Sequence, residues 1–472
     1  MSMEQSWIVP CDSVWSMEEA AGWSSDSNQV FKEAVAEVHA YYLQIMQVKM
    51  HKFPPSLVDV DPRYKVPLTV AIGPYHHGHP GMMEAEQMKN VAADQCVRYS
   101  SGTLQDMYNA VSLVSPCAHK LYYPDGLAKF PNGILPMMFL DACFLVQFIR
   151  WYQAEEEDMD QALSTYFYAN FERISTDIMM LENQIPWIMV QIIFNFMRPV
   201  LSSPWSCPWE KFVVAMRRGL KNQMVGDDVQ DLDIDPTYEP PHLLGLVRFY
   251  IVGKYKDDKS DELPPEEHPP EEHPPEEKPM SLSISVAELA DIGIRLVPKT
   301  GTEAVLADMR LHSSKWGCFS DLFVPPLCLT EANATSLVNM AALELCITPD
   351  FNDVGAEDSA VCSYLHLFAM LLDQERHVQD LRKNKVIEGG GLTSKETLQF
   401  FTSIGKNMRH GTSYLHIIIE IDEFKRKRSF LLKAYLFIMK HLTKIIAVTT
   451  VIGAVVGILS SLQNLKTKQP RT

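Results

Sequence analysis

The chain has no C-x-x-C pair, and its nine cysteines are an odd number scattered from Cys11 to Cys362. That excludes a zinc ribbon and a disulfide framework, and stretches such as LDACFLVQF around Cys143 read as reduced thiols in an apolar core. The first twenty residues carry neither a basic n-region nor an apolar h-region, so no secretory signal is expected. G-x-S-x-G, Walker A, G-x-G-x-x-G and H-E-x-x-H are all missing, and no cofactor or metal is implied by motif. Positive charge is short as well. A net charge of −17 over 472 residues argues against nucleic acid as a partner, because phosphate recognition needs a basic footprint.

What is present is a globular composition, 46% apolar and 10% aromatic, with three departures from it. The first is DDKSDELPPEEHPPEEHPPEEK, Asp257 to Lys278, with three P-P-E-E-[HK] units and ten acids against two lysines. Proline removes helix and ladder, the glutamates repel one another, and a solvated, extended loop is predicted over 257–280. No two of its prolines are three apart, so it lacks the P-x-x-P register of a ligand for proline-binding domains. The second is IIAVTTVIGAVVGILSSL, Ile445 to Leu462, an uncharged run of 18 residues. As a helix it would span about 27 Å, enough to cross a bilayer. Seven Lys or Arg lie from Lys425 to Lys444 and three follow the run, which favours a cytosolic body, a single pass through the plasma membrane or an endomembrane, and a short exported tail. Within the run, Gly453 and Gly457 form a G-x-x-x-G face through which two copies can self-associate.

The third is IGPYHHGHP, Ile72 to Pro80. Three histidines invite a metal reading, but adjacent His76 and His77 diverge, and no H-x-x-x-H or cysteine pair completes a ligand set. Gly73 and Gly78 permit tight turns, Pro74 fixes one φ, and Tyr75 with a histidine can anchor the turn by polar tips, so a structural role is favoured.

The rest reads as mainly α with a minor small sheet. Helical spacing runs through NQVFKEAVAEVHAYYLQIMQVKM (Asn28 to Met50), EDSAVCSYLHLFAMLLDQERHVQDLRKNKVI and SKETLQFFTSIGKNM. ILPMMFLDACFLVQFIRWYQ and DIMMLENQIPWIMVQIIFNFM are apolar enough for buried helices, the second interrupted or restarted at Pro186. Their polar residues, Asp141 and the strip Glu182, Asn183, Gln184, must then be hydrogen-bonded. IRLVPK, LADMRLHS and DLFVPPLCL alternate as short strands. VQDLDIDPT contains the D-x-D-x-T of aspartate-nucleophile phosphatases at Asp233, Asp235 and Thr237. No apolar strand precedes it, and Pro236 and His242 also defeat an EF-hand reading, so an acidic loop is expected.

VPLTVAIGPYHHG, MMFLDACFLVQFI, DIMMLENQIPWIMV, SISVAELADIGIRL, VPPLCLTEANATSLVNMAALE and YLHLFAMLLDQERHVQDLRKNKVI occur in that order, followed by the apolar run. The collinear set resembles the plant family known as domain of unknown function 247, an uncharacterised membrane protein family, over about residues 50–465. Where that family has an H-K-W-like triplet after the turn, this chain reads EQMKN, Glu86 to Asn90. The family has no established catalytic activity, so the resemblance implies little about chemistry. Some grass members of the family are pollen-side determinants of self-incompatibility, which would fit a tethered protein with a variable acidic loop.

The expected organisation is a variable segment 1–27, a first α-rich part 28–256, the acidic loop 257–280, and a second part of the same domain 281–428. A basic lead-in 429–444, the membrane helix 445–462 and a tail 463–472 follow. The leading functional expectation is a membrane-anchored recognition or scaffold protein with a protein partner. The alternative is a hydrolase-like enzyme with its site near the histidine turn and the LENQIP strip. Asn333-Ala-Thr335 is the only N-x-[ST] sequon, and glycan there would indicate a body outside the cell.

Overall fold

The computed structural model describes residues 49–152, 159–197, 209–221, 234–235, 238–253, 284–299, 305–313, 319–351, 354–428 and 456–457. After an entry segment with short 3-10 turns, the first half holds α1 (Met83–Arg98), α2 (Leu104–His119), α3 (Pro124–Leu127), α4 (Leu135–Tyr152), α5 (Gln161–Asp177), α6 (Trp187–Met197), α7 (Glu210–Lys221) and α8 (Leu243–Val252). The second half holds α9 (Val286–Asp291), β1 (Ile294–Pro298), β2 (Arg310–Ser313), β3 (Ser320–Val324), β4 (Leu327–Cys328), α10 (Glu331–Ile347), α11 (Ala360–Leu371), α12 (Glu375–Lys383), β5 (Ile387–Glu388) and α13 (Ser394–Gly405). Residues 412–428 form α14.

Two helices with no polar face organise the core. From Met137 to Trp151 α4 is buried on nearly every side, which is why its sequence lacks amphipathic spacing. Small residues of α1, Ala85, Ala92 and Cys96, let α1 lie close against it. Phe144 and Phe148 meet Phe167 of α5 edge-on at 5.4 and 5.3 Å, a geometry favourable to aromatic rings. In the second half α10 has the same character, buried from Ala334 to Leu345 and touching α5, α8 and α11. Burying each such Leu or Phe contributes about 1.5–3 kcal/mol.

Local chemistry sets several boundaries. Capping boxes start α9 (Ser285 with Glu288) and α13 (Thr393 with Glu396). The C-terminus of α10 is closed by Arg409, which donates to the carbonyls of Leu345, Thr348 and Pro349. The expected small sheet is present: β3 lies between parallel β1 and antiparallel β2, and β4 pairs with β5. One helix expectation needs correction. The apolar stretch Ile178–Ile185 is not helical, because Asn183 and Gln184 donate their amides to the carbonyls of Asp177, Ile178 and Met180, taking acceptors a continuing helix would use. The helix restarts at Trp187, directly after Pro186.

Among the described residues no helix is long and apolar enough to cross a membrane. The run 445–462 lies outside them, except Val456 and Gly457, which are helical and exposed. The segments 1–48, 257–280 and 429–444, Gly453, and the D-x-D-x-T motif apart from Ile234 and Asp235 also lie outside them.

Candidate functional site

The histidine turn and the polar strip, more than a hundred residues apart in sequence, meet in one place. Gly73 and Gly78 adopt φ of +82° and +81°, the left-handed region that glycine enters without strain. At Gly73 even an alanine is excluded, since its Cβ would stand 2.4 Å from the Gln184 carbonyl oxygen. The Gly73 N–H donates to Asp141 Oδ2 of α4 at 2.7 Å, and the Ile72 N–H to Asn183 Oδ1 at 2.6 Å. Pro74 precedes Tyr75, whose hydroxyl donates to the Met50 carbonyl at 2.7 Å and accepts from the Tyr123 N–H at 3.2 Å.

Each member of the strip bonds to backbone. Glu182 accepts the Phe53 N–H at 2.8 Å. Asn183 returns its amide to the Val70 carbonyl, and Gln184 accepts the Leu244 N–H at 3.1 Å, fastening α8. The strip's own backbone is held from the second half, where Asn339 of α10 accepts the Leu181 N–H at 2.6 Å and donates to the Tyr64 carbonyl at 2.8 Å. Just upstream, Asp177 accepts the N–H groups of Leu68, Thr69 and Val70. Burial pushes its carboxyl up to about 6 against those three bonds.

The centre of the lattice is Lys89 of α1, with no exposed surface. Its ammonium donates to the Ala71 carbonyl at 2.5 Å and to Glu86 Oε1 at 2.6 Å, and it lies 2.6 Å from Asp141 Oδ1. Three donors therefore face three acceptors, as a buried ammonium requires. Burial works against the charge, but Asp141 and Glu86 outweigh it and hold Lys89 above its usual value. Burial in turn pushes the Asp141 carboxyl up, opposed by Lys89 and the Gly73 N–H.

The two histidines turn to different neighbours. His76 Nε2 is 3.8 Å from Glu182 Oε2, and His77 Nδ1 is 3.8 Å from Glu86 Oε2 while its ring sits 5.3 Å from Phe130. Burial, aided by the charges of Lys129, His79 and Lys52, lowers His76 to about 4, so it is neutral at pH 7. His79 sits outside this cluster, its Nδ1 capping the 3-10 turn Pro80–Met82. Among the described residues no group of three or more His, Cys, Asp or Glu is placed to hold a metal ion.

For hydrolytic chemistry the arrangement offers little. The thiol close to Glu182 belongs to Cys346. It donates to the Lys52 carbonyl, and burial pushes it up to about 12, the opposite of an activated nucleophile. An open groove of about 650 Å³ lies elsewhere, between α1 and α5, lined by Glu84, Met88, Asp160, Thr165, Tyr166 and Asn170, with no member of the turn or strip in its wall. The sequon is also occupied. Asn333 donates its amide to the carbonyls of Gly219 and Cys328, and Thr335 is buried, so a glycan would have to displace one of these bonds. Gly457 is helical with open space around it.

Four residues of the lattice were not singled out from sequence: Lys89, Asp177, Asn339 and, farther off, Glu344. Asn339 and Glu344 are each a lone polar side chain between apolar neighbours, as Asp141 is, whereas Asp177 follows Ser175 and Thr176 and carries no such signal. Lys89 lies in EQMKN, read above as a departure from the family triplet; its neighbour Asn90 is exposed and bonds only the Glu86 carbonyl.

A helix-rich body whose motif residues bond one another into a closed lattice is a family scaffold first of all. The chain belongs to the family described as plant protein of unknown function, domain of unknown function 247, whose model matches residues 50–460. It is similar to UPF0481 protein At3g47200 of Arabidopsis thaliana, 22% identical over 388 residues, covering 80% of this chain and 77% of that protein. It is also similar to the putative UPF0481 protein At3g02645 of the same plant, 27% identical over 172 residues, 35% of this chain and 31% of that one. No solved structure matches it significantly.

Proposed function

We propose that the protein is a membrane-tethered recognition or scaffold module whose partner is another protein, its body facing the cytosol and its tether the run Ile445–Leu462. What supports the reading is that the turn and strip are spent on bonds within the body. Lys89, Asp141, Asn183 and Gln184 have their partners inside the chain, leaving the surface as the part free to vary. The basic flank and uncharged run support the tether, and Gly453 and Gly457 supply a small-residue face for pairing within the bilayer. A role in pollen self/non-self recognition is the specific form of this reading that the grass members of the family offer. It is tested by proximity labelling from the anchored full chain in pollen and in vegetative tissue. Enrichment of a protein partner over a membrane-anchored control is expected, and no enrichment in either tissue counts against the reading.

A further inference from the structure

Helix α14 is fastened to the body along one face. Ile417, Ile418, Ile421 and Phe424 are buried, and Glu420 accepts the Leu311 N–H of β2. Directly beyond Phe424 the outward side carries Lys425, Arg426 and Lys427, all exposed. These cations stand on a packed helix, so their position relative to the body is set by the Ile and Phe contacts one turn earlier. Two have only weak local partners: Arg426 lies 3.2 Å from Asp422 and Lys427 3.6 Å from Glu423, with 71% and 77% of the cationic side chains exposed. Exposed pairs of this kind exchange readily for a stronger anion. From Lys425 to Lys444, where the apolar run begins, there are seven Lys or Arg and no Asp or Glu, against an overall charge of −17. The strongest basic stretch of an acidic protein thus begins on the rigid body and leads to the run read above as the tether.

We propose that Lys425, Arg426 and Lys427 form a docking surface for the anionic phospholipid headgroups of the bilayer, and that this contact sets how the body sits on the membrane. The inference rests on the tether reading. It is a statement about orientation beyond the topology bias, because only cations held on the packed helix can fix the body. Each Lys or Arg held near an anionic leaflet strengthens attachment by about fivefold, so three give roughly a hundredfold at low salt, falling as salt screens the surface.

The test uses the full chain reconstituted into nanodiscs of phosphatidylcholine alone or with about 30% phosphatidylserine. Energy transfer from the protein's tryptophans to a headgroup dye reports how closely the body approaches. Expected are incorporation into both discs, transfer clearly higher in the anionic discs, loss of that increase in high salt, and its loss in K425Q/R426Q/K427Q, which alters only exposed side chains. If the chain fails to enter neutral discs, the tether reading itself falls, and this inference falls with it. Incorporation with equal transfer in both lipids overturns the inference alone. Equal transfer together with capture of soluble polyglutamate by the wild type, lost in the glutamine variant, reassigns the patch to an acidic protein and likewise overturns it.

Discussion

Asp141 and Glu344 are both carboxylates without exposed surface, and the molecule satisfies them in different ways. Asp141 has one buried cation, Lys89, and one backbone donor, Gly73. Glu344 of α10 takes the Val361 and Cys362 N–H groups at 3.0 and 2.8 Å, together with Arg248 of α8. Those two donors belong to the first turn of α11, whose own N-cap Ser359 makes no side-chain cap. Glu344 therefore serves as a cap supplied from another helix and sits at the positive end of the helix dipole. Arg248 also spends a bond on the Glu357 carbonyl and keeps some solvent contact. Both carboxylates lean first on a cation, but Asp141 has a single backbone donor beside Lys89, whereas Glu344 keeps two beside the two bonds of Arg248.

The sharpest way to break the contrast is Lys89→Met, which leaves Asp141 buried with a single donor. We expect a loss of about 3–5 kcal/mol in urea unfolding followed by tryptophan fluorescence. Gly73→Ala removes the other support by forcing a Cβ onto the Gln184 carbonyl at a left-handed φ, with an expected loss of about 2–4 kcal/mol in the same assay. Arg248→Met should cost less than Lys89→Met, about 1–3 kcal/mol, because the two helix donors remain on Glu344. An equal or larger loss would erase the distinction.

Protons sharpen the contrast next. Burial holds His51, His76 and His366 near 4 and His242 near 3, below the 6.5 of an unfolded histidine. As pH falls through 6.5 the unfolded chain binds these protons first, so stability present above 6.5 is lost at up to about 1.4 kcal/mol per pH unit for each histidine. Asp177, raised to about 6, acts with the opposite sign between about 6 and 3.8, since there the folded chain holds a proton the unfolded one has released. The unfolding midpoint is expected to drop from pH 7.5 to 6, and His366→Gln should flatten that drop. The smallest effect belongs to the surface: Arg295 and Asp321 make two good bonds across β1 and β3, but exposed, so Arg295→Ala should cost no more than about 1 kcal/mol.

Much of the scaffold was readable because its signals are local. Alternation marked β1, β2 and β3, and a largely apolar run with no polar face marked α4 as buried on all sides. Asp141 and the strip stood out as polar residues in apolar company. Lys89 did not, because a lysine on a helix otherwise polar reads as solvent-facing; only the carbonyl of Ala71, eighteen positions earlier, and Asp141, farther along the chain, reveal it as interior. The non-helical stretch Ile178–Ile185 was hidden for a similar reason, since spacing reports burial and does not report side chains competing for helix acceptors.

The turn is a clamp centred on Lys89, with the histidines as its lining. The most direct measurement sets Lys89→Met beside the double variant H76Q/H77Q in urea unfolding at pH 7.5. The expected result is a loss of about 3–5 kcal/mol for the first and about 1 kcal/mol or less for the second, whose ring nitrogens Nε2 and Nδ1 make no hydrogen bond within the body. A large loss on removing the histidines with little change on removing the lysine would contradict it.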